Sequence, residues 1–413
     1  MKIAILTNFN DYNPGYSLTG IVKDQKVMLK KIGGHQVDVF VNTNFKGYEE
    51  VIKRVPQLNL TDYSTKKCMS KTLDKNSLKI KTFLENFIDN KYDIVITHDW
   101  IFTGWNLPYA MALQSLEFSK KTKYLHWIHS MPCENKDWWN IKFYAKNHLI
   151  VYPNKTDSVC VLENYKATPD RLEIIPHIKD LRTWGDFSSL TVDILDKYPE
   201  MMTNRFVKVY PVGTDRLYFK KVHIVISIMA ALKRTGQSVC LCIANAQGSG
   251  RGIDERILPY LKLAREEGLT ESEFFFTSET KGFESGVPKR ELRELMQCSN
   301  LFIFPTHQET CGLVGLEEPL SGAKIMVLNR SLNMMTEVHR NIGLYFNFGS
   351  FDQDLKIEDQ NKYCEAIARQ ILYRYNNDES VLASTWIRQA YNFNRIYNDY
   401  YLPIISKEIY NNE

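Results

Sequence analysis

Short apolar runs alternate with amphipathic segments along the first half of the chain. The apolar runs are KIAILTN, HQVDVFVN, YDIVITH, KYLHWIHS and VYPNKTDSVCVL. Between the first two lies GIVKDQKVMLKKIG, a helix-like segment that ends at Gly33 and Gly34, and glycine is a common residue at a helix end. Apolar runs of about five residues separated by amphipathic stretches predict βα units and a parallel sheet.

The same pattern restarts after an irregular stretch near residues 180 to 205. The later strand-like runs are FVKVYPVG, SVCLCIAN, EFFFTS, NLFIFPT and KIMVLN, with helical segments between them. We therefore predict an α/β protein of two doubly wound, Rossmann-like domains. The first comprises residues 1–185 with about 390–413, because the Tyr- and Ile-rich end is predicted as a helix crossing back, and the second comprises residues 200–390. Ligands of such sheets bind beyond the carboxyl ends of the strands, which favours a cleft between the domains.

Composition and charge restrict the class of protein. With 413 residues, 44% hydrophobic and 24% charged, the chain is typical of a soluble two-domain protein. It has no apolar run of about 18 residues that would span a membrane, and its start is too short for a signal peptide. The eight cysteines show no C-x-x-C spacing, which favours free buried thiols and a cytoplasmic location, in the host cytoplasm if the protein is viral.

Residues 307–319, HQETCGLVGLEEP, combine small residues with three carboxylates. NLFIFPT predicts a strand, the following residues a turn, and LVGLEEPLSGA a helix. Unpaired amides at the start of such a helix bind anions or sugar oxygens. Carboxylates accept two hydrogen bonds and so suit vicinal hydroxyls, and Glu309 and Glu317 are separated by seven residues.

This E-x7-E pattern, followed by L-E-x4-G ending at Gly322, resembles the signature of the retaining nucleotide-sugar glycosyltransferases of the GT-B fold. The resemblance implies that Glu309 binds hydroxyls of the donor sugar and that Glu317 binds the ribose. Glu318 is interpreted as a charge on the helix surface. The intervening residues implied to contact the donor are Thr310, Cys311, Gly312, Leu313 and Val314.

A second segment, YPVGTDRLYFKKVHIVISIMAAL, is similar to the strand, turn and helix of the same family. It places Arg216 and Lys221 five residues apart, and two cations at that turn would neutralise a diphosphate leaving group without a metal. Lys220 is an additional cation, so either lysine is a candidate to face the phosphate. The nucleotide base is expected near Asn245 and Ser278.

The first domain offers weaker matches. NPGYSLTGIVKDQ occupies the place of the family's Gly-containing loop, with Gly20 expected just before a helix, where amides bind phosphate or acceptor. A plain loop is the alternative. His129 follows the strand KYLHWI and resembles the family's histidine that contacts the donor sugar, whereas His126 is expected inside the strand. At another strand end, His98 and Asp99 are candidates for the acceptor side.

The resemblance implies a retaining transfer from a nucleotide sugar, most often a UDP-sugar, with no further cofactor and no metal. In that family the favoured account has the leaving phosphate deprotonate the acceptor, so the enzyme contributes positioning and charge stabilisation.

The net charge is +4, but residues 66–81 carry six lysines against one aspartate. These lysines, including Lys66 and Lys67, together with Trp138 favour DNA as the acceptor, with a hydroxymethylated pyrimidine in phage DNA as the leading candidate. An apolar series in the same region (Leu78, Ile80, Phe83 and Phe87) leaves open an interfacial helix and a lipid or surface-polysaccharide acceptor. A solvated helix face is the simplest alternative for the lysines. A nucleotide-sugar- or DNA-binding protein without turnover is a further alternative.

Overall fold

The structure is a computed structural model, and it describes residues 1–13, 15–47, 51–57, 71–102, 106–116, 122–130, 147–245, 254–309, 312–340, 342–350 and 358–407. The chain forms two compact units. Unit 1 comprises Met1–Ile178 together with Phe393–Glu413, and unit 2 comprises Lys179–Asn392.

Most strands of the described chain are followed by a helix. In chain order the described strands are β1 (Lys2–Leu6), β2 (Gln36–Asn42), β3 (Ile52–Val55), β4 (Ile94–His98), β5 (Lys123–Trp127), β6 (His148–Tyr152), β7 (Leu172–Ile174), β8 (Phe206–Pro211), β9 (Val239–Ala244), β10 (Phe274–Phe276), β11 (Leu301–Phe304), β12 (Ile325–Asn329) and β13 (Leu344–Phe346).

The described α-helices are α1 (Ser17–Lys31), α2 (Lys71–Phe87), α3 (Leu107–Gln114), α4 (Ser158–Tyr165), α5 (Leu181–Trp184), α6 (Ser189–Lys197), α7 (Glu200–Thr203), α8 (Val222–Arg234), α9 (Asp254–Glu266), α10 (Lys289–Cys298), α11 (Leu313–Ser321), α12 (Asn333–His339), α13 (Gln360–Asn376), α14 (Glu379–Ala390), α15 (Phe393–Ile396) and α16 (Leu402–Ser406). A π-helical turn, Tyr397–Tyr401, joins the last two.

Unit 1 is built on a parallel sheet whose described strands have the order β3-β2-β1-β4-β5-β6-β7. In the register of this sheet, Ile3 of β1 pairs with Val37 on one side and with Ile94 on the other. The central strands are buried on both faces, as is expected where helices cover a parallel sheet. The reversal of strand order beside β1 is the kind of switch point at which doubly wound sheets bind ligands.

Unit 2 contains two described three-stranded parallel groups, β10-β9-β8 and β11-β12-β13. Asn300, directly before β11, connects the two groups. Its side-chain Oδ1 accepts a hydrogen bond from the Val207 amide of β8 at 3.1 Å, and its backbone amide donates to the Val207 carbonyl at 3.1 Å. Helix α8 packs its apolar side chains in the same core cluster as these strands. The predicted α/β architecture with parallel sheets is thus confirmed.

The C-terminal segment packs on unit 1, as predicted. Phe393, Ile396 and Tyr401 belong to the same apolar cluster as strand β1. The Lys123 ammonium of β5 donates a hydrogen bond to the Lys407 carbonyl at 2.8 Å, which ties the end of α16 to the sheet.

The prediction of free buried thiols is confirmed in part. Four described cysteines are free and buried, namely Cys240, Cys242, Cys298 and Cys364. Cys160 is free and exposed. Among the described residues, no helix combines the length and the apolar composition needed to cross a bilayer.

Candidate functional site

The strand, turn and helix predicted at HQETCGLVGLEEP are present in unit 2, as β11, a loop and α11. Gly312 is the residue before the helix, with φ 68° and ψ 58°, a left-handed conformation that favours glycine. A Cβ at this position would lie 3.2 Å from the Phe304 ring and 3.8 Å from Cγ of Glu309. Gly312 therefore lets the chain turn closely around Phe304, and it places the first turn of α11 beside Glu309.

Glu309 forms an ion pair with Lys220, and both side chains are about four-fifths buried. The Lys220 carbonyl accepts a hydrogen bond from the hydroxyl of the buried Tyr210 at 2.9 Å. The amide of His307 donates to the Phe219 carbonyl at 2.9 Å, so the loop after β8 and the loop after β11 are joined directly. A cation and a carboxylate are thereby fixed side by side at one edge of unit 2.

The two adjacent lysines have different environments. Lys221 adopts a left-handed conformation with φ 49°, immediately before α8, and its ammonium donates to the Phe348 carbonyl. Lys220 instead points to Glu309. Arg216 lies in the 3-10 turn Thr214–Arg216 and is exposed, and its guanidinium contacts no hydrogen-bond or ion-pair partner among the described residues. Arg216 is thus exposed without a described partner, whereas the Lys220 ammonium is held by a carboxylate and the Lys221 ammonium by a backbone carbonyl.

The first turn of α11 presents backbone donors and one carboxylate. None of the described residues accepts a hydrogen bond from the amides of Leu313 or Val314. Glu317 is exposed one turn into the helix, and Leu313 is exposed as well. Thr310 and Cys311 lie outside the described residues. Unpaired amides at a helix start, reinforced by the helix dipole, attract an anion.

Glu318 is not a surface charge, and that prediction is wrong. Its side chain is fully buried and forms an ion pair with the equally buried Lys208 of β8, at 3.1 Å between Nζ and Oε1. Lys208 also donates to the Val209 carbonyl at 2.6 Å and lies over the Phe302 ring. Burial raises the pKa of Glu318 and lowers that of Lys208, while each charge partly offsets the shift of the other. The signal in the sequence was the lysine at the centre of the apolar run FVKVYP, which needs a buried counter-ion.

Asn245 and Ser278, expected near the nucleotide base, lie together at the carboxyl ends of β9 and β10. Asn245 is buried and donates to the hydroxyls of Thr214 and Ser278, both at 2.9 Å, while its Oδ1 accepts from the Ser278 amide at 3.1 Å. These contacts brace the loop that leads to Arg216.

The structure brings the two first-domain candidates together. The Asp99 carboxylate accepts hydrogen bonds from the His129 amide at 2.8 Å and from the Ser130 hydroxyl at 3.3 Å. Burial raises the pKa of Asp99, and these hydrogen bonds oppose that shift. Because the carboxylate is tied to the loop after β5, Asp99 holds His129 in place. His126 lies inside β5 and is buried, as predicted.

The His129 side chain contacts a second histidine. Its Nε2 lies 2.8 Å from Nδ1 of His98, whose Nε2 lies 2.9 Å from Oε1 of Gln25. The Gln25 amide in turn donates to the Tyr401 hydroxyl at 2.6 Å. His177, in the loop after β7, stacks on His129 with ring centroids 5.0 Å apart.

Three members of this cluster (Gln25, His177 and Tyr401) were not singled out from the sequence. The available signal was Gln25, a polar residue within the apolar stripe Leu18, Val22 and Met28 of α1. A glutamine at a core position requires buried partners.

Other candidates of the first domain lie elsewhere or outside the described residues. Gly20 is exposed and is the fourth residue of α1, so the prediction that it precedes the helix is wrong; the helix already begins at Ser17. An amide one turn inside a helix is committed to the helical hydrogen bonds. Lys66, Lys67 and Trp138 lie outside the described residues.

Comparisons with known proteins find structures that are distantly similar to this chain. No protein-family model and no curated protein matches it. Among solved structures, it resembles a glycosyltransferase from Rickettsia africae ESF-5, with 14% identity over 100% of this chain and 99% of the other and a TM-score of 0.37. It also resembles an E. coli protein described as trehalose-6-phosphate bound with UDP-2-fluoro glucose. The identity is 11% over 98% of this chain and 99% of the other, and the TM-score is 0.35. A third similar structure is that of WaaG, a glycosyltransferase involved in lipopolysaccharide biosynthesis. The identity is 17% over 98% of this chain and 99% of the other, and the TM-score is 0.33. Likenesses at these TM-scores assign neither a fold nor a function to this chain.

Proposed function

We propose that the protein is a retaining glycosyltransferase that takes its sugar from a nucleotide diphosphate sugar, with UDP as the nucleotide. The observation that carries the proposal is the ion pair of Lys220 and Glu309 beside the first turn of α11. A diphosphate sugar presents an anion next to a set of hydroxyls, and this edge presents a cation next to a carboxylate. The two patterns are complementary.

Each group at the edge has a distinct role in the proposal. Lys220 and Arg216 neutralise the diphosphate, together with the amides of Leu313 and Val314. Glu309 accepts hydrogen bonds from hydroxyls of the donor sugar, and Glu317, exposed one turn later, accepts those of the ribose. Lys220 is preferred to Lys221 because its ammonium lies beside Glu309, the carboxylate proposed to bind the donor sugar, whereas the Lys221 ammonium contacts the Phe348 carbonyl.

The reaction needs charge stabilisation more than a protein nucleophile. As the bond from the anomeric carbon to the diphosphate breaks, negative charge grows on the leaving oxygen, where fixed cations and amides lower the barrier. The leaving phosphate then accepts the proton of the acceptor hydroxyl on the same face, so the new bond retains the anomeric configuration. No metal and no further cofactor are included in this scheme.

For the acceptor we propose DNA, with a hydroxymethylated pyrimidine as the reacting base. Helix α2 supports a polar partner, because Ile80 and Phe83 are buried in the core of unit 1 while Lys75 and Lys79 are exposed. Of the apolar series, Ile80 and Phe83 are directed inward, whereas Leu78 and Phe87 are exposed. Two separate apolar side chains on the described part of α2 fall short of the broad apolar face that insertion into a bilayer requires. Exposed lysines suit the phosphates of nucleic acid.

Radiolabelled nucleotide sugars test the proposal. Wild-type protein is incubated with each labelled donor and with hydroxymethylcytosine DNA, lipid or oligosaccharide, and released sugar and labelled product are counted. We expect turnover with a UDP-sugar and label in DNA. Glu309→Gln should lower turnover about 10- to 100-fold, the effect of losing hydrogen bonds to a charged group. The matched control is Glu266→Gln, which alters an exposed Lys–Glu pair on α9 and should retain activity.

Two results would contradict parts of the proposal. Label in lipid or oligosaccharide and none in DNA would replace the acceptor. Equal turnover of Glu309→Gln and wild type would remove Glu309 from the sugar site.

A further inference from the structure

Unit 1 contains a continuous hydrogen-bonded chain of four side chains that ends at an unpartnered nitrogen. The chain runs from Tyr401 through Gln25 and His98 to His129, with separations of 2.6, 2.9 and 2.8 Å. Nδ1 of His129 is buried and has no hydrogen-bond partner among the described residues. A buried polar atom without a protein partner is rare in folded proteins, so this nitrogen is available for a hydrogen bond to a ligand.

The family resemblance already implies that His129 contacts the donor sugar. Beyond this, we propose that the relay fixes His129 as the tautomer with a bare Nδ1, so that this nitrogen accepts a hydrogen bond from a hydroxyl group and offers none. Tyr401, Gln25 and His98 are thus positioning residues, and the C-terminal segment takes part in substrate recognition through Tyr401. That the hydroxyl belongs to a sugar rests on the proposed function.

The direction of the relay follows from the Gln25 amide. Its nitrogen donates to the Tyr401 hydroxyl, so its oxygen faces His98 and accepts a proton from Nε2. A neutral imidazole carries one proton, so Nδ1 of His98 is a lone pair and accepts from Nε2 of His129. Nδ1 of His129 is then also a lone pair.

Both rings are held neutral and in fixed planes. Burial lowers the pKa of His98 to about 3, and burial together with His98 and His177 lowers the pKa of His129 well below its usual value. The His98 ring is nearly parallel to the His129 ring, with 17° between their planes. The His177 ring stacks on the His129 ring with 15° between their planes. Trp127 lies within 5° of the His129 plane. The Asp99 carboxylate accepts hydrogen bonds from the His129 amide and the Ser130 hydroxyl.

A bare ring nitrogen discriminates between ligand groups. It accepts from a hydroxyl, whereas a phosphate, carboxylate or carbonyl oxygen offers it no proton. The relay therefore favours a sugar hydroxyl at this position over an anionic group of the same size.

Histidine tautomers can be read directly by ¹⁵N NMR of the full-length protein labelled at histidine. We expect Nδ1 of His129 to be unprotonated and Nε2 protonated in the wild type. Tyr401→Phe removes only the hydroxyl that orients Gln25, and a second His129 tautomer should appear. When Gln25→Glu is added to Tyr401→Phe, a single His129 tautomer should return, because a carboxylate accepts a hydrogen bond from His98 and cannot donate one. Tyr397→Phe is the matched control, since its hydroxyl contacts His35 at 2.9 Å outside the relay.

A substrate readout accompanies the spectra. Addition of UDP-glucose should shift the His129 Nδ1 signal, and Tyr401→Phe should raise KM about two- to tenfold, as expected for one neutral hydrogen bond, with little change in kcat.

A protonated Nδ1 in the wild type, or a Tyr401→Phe spectrum identical to that of Tyr397→Phe, overturns the relay. A UDP-glucose shift elsewhere in the spectrum with none at His129 overturns the hydroxyl site while leaving the proposed function intact. If UDP-glucose changes no signal, the proposed donor fails and the assignment of the hydroxyl to a sugar fails with it, while the tautomer result still decides the relay.

Discussion

At the scale of single residues, two neighbours on α11 have opposite roles. Glu317 is exposed and Glu318 is fully buried against Lys208. Successive residues on a helix point about 100° apart, so the spacing of the sequence alone does not show which carboxylate faces the core. Glu318 supports the helix that carries Glu317, because its ion pair joins α11 to strand β8.

Removing one partner of a buried ion pair leaves an uncompensated charge, so we expect Glu318→Ala to lower the free energy of unfolding of unit 2 by about 3–5 kcal/mol. Glu317→Ala is the matched control and should stay within about 0.5 kcal/mol of the wild type. The double variant Lys208→Met with Glu318→Leu should recover much of the loss, because no charge remains buried. Urea unfolding measures all three, and a Glu318→Ala protein as stable as Glu317→Ala would refute the role given to the pair.

At the scale of elements, buried histidines connect neighbouring strands of unit 1. His126 of β5 lies 2.9 Å from the Thr97 hydroxyl of β4 and 2.8 Å from Nδ1 of His148 in β6. His98 ends β4. Burial lowers the pKa of His98 and of His126 to about 3, and it lowers that of His148 as well. This part of the sheet therefore depends on neutral histidines.

We predict that acid weakens unit 1. The folded pKa values lie below the unfolded value of about 6.5, so the unfolded chain binds protons first as the pH falls. The contribution of these histidines is complete above about pH 6.5 and is lost below it, at about 1.4 kcal/mol per pH unit for each histidine between about pH 6 and 5. His126→Gln should reduce that slope by one histidine's share. Urea unfolding of unit 1 at several pH values decides this, and a stability unchanged from pH 7 to 5 would contradict it.

The helices and strands also show which features of the fold can be predicted from the sequence. Apolar runs and glycine stops predicted the parallel strands, the end of α1 and the strand, turn and helix at Gly312, because these depend on local periodicity. The Tyr401–Gln25 contact joins residues 376 positions apart, and the position of Gly20 depends on a helix that begins at Ser17 and not after Gly20. Such features depend on tertiary packing, which local periodicity does not specify.

At the scale of the whole molecule, each unit contains its own set of chemical groups. Unit 2 contains the cations and carboxylates around Lys220 and Glu309, and unit 1 contains His129 with its hydrogen-bonded neighbours. The C-terminal segment belongs to unit 1 although unit 2 precedes it in the chain. The central claim is that the edge of unit 2 binds a nucleotide sugar through Lys220.

Isothermal titration of UDP-glucose into the wild type, Lys220→Met and Lys221→Met tests that claim most directly. The account predicts binding by the wild type, about 10- to 100-fold weaker binding by Lys220→Met through loss of a charged hydrogen-bond donor, and nearly unchanged binding by Lys221→Met. No binding of UDP-glucose to folded wild-type protein, or a loss confined to Lys221→Met, would contradict it.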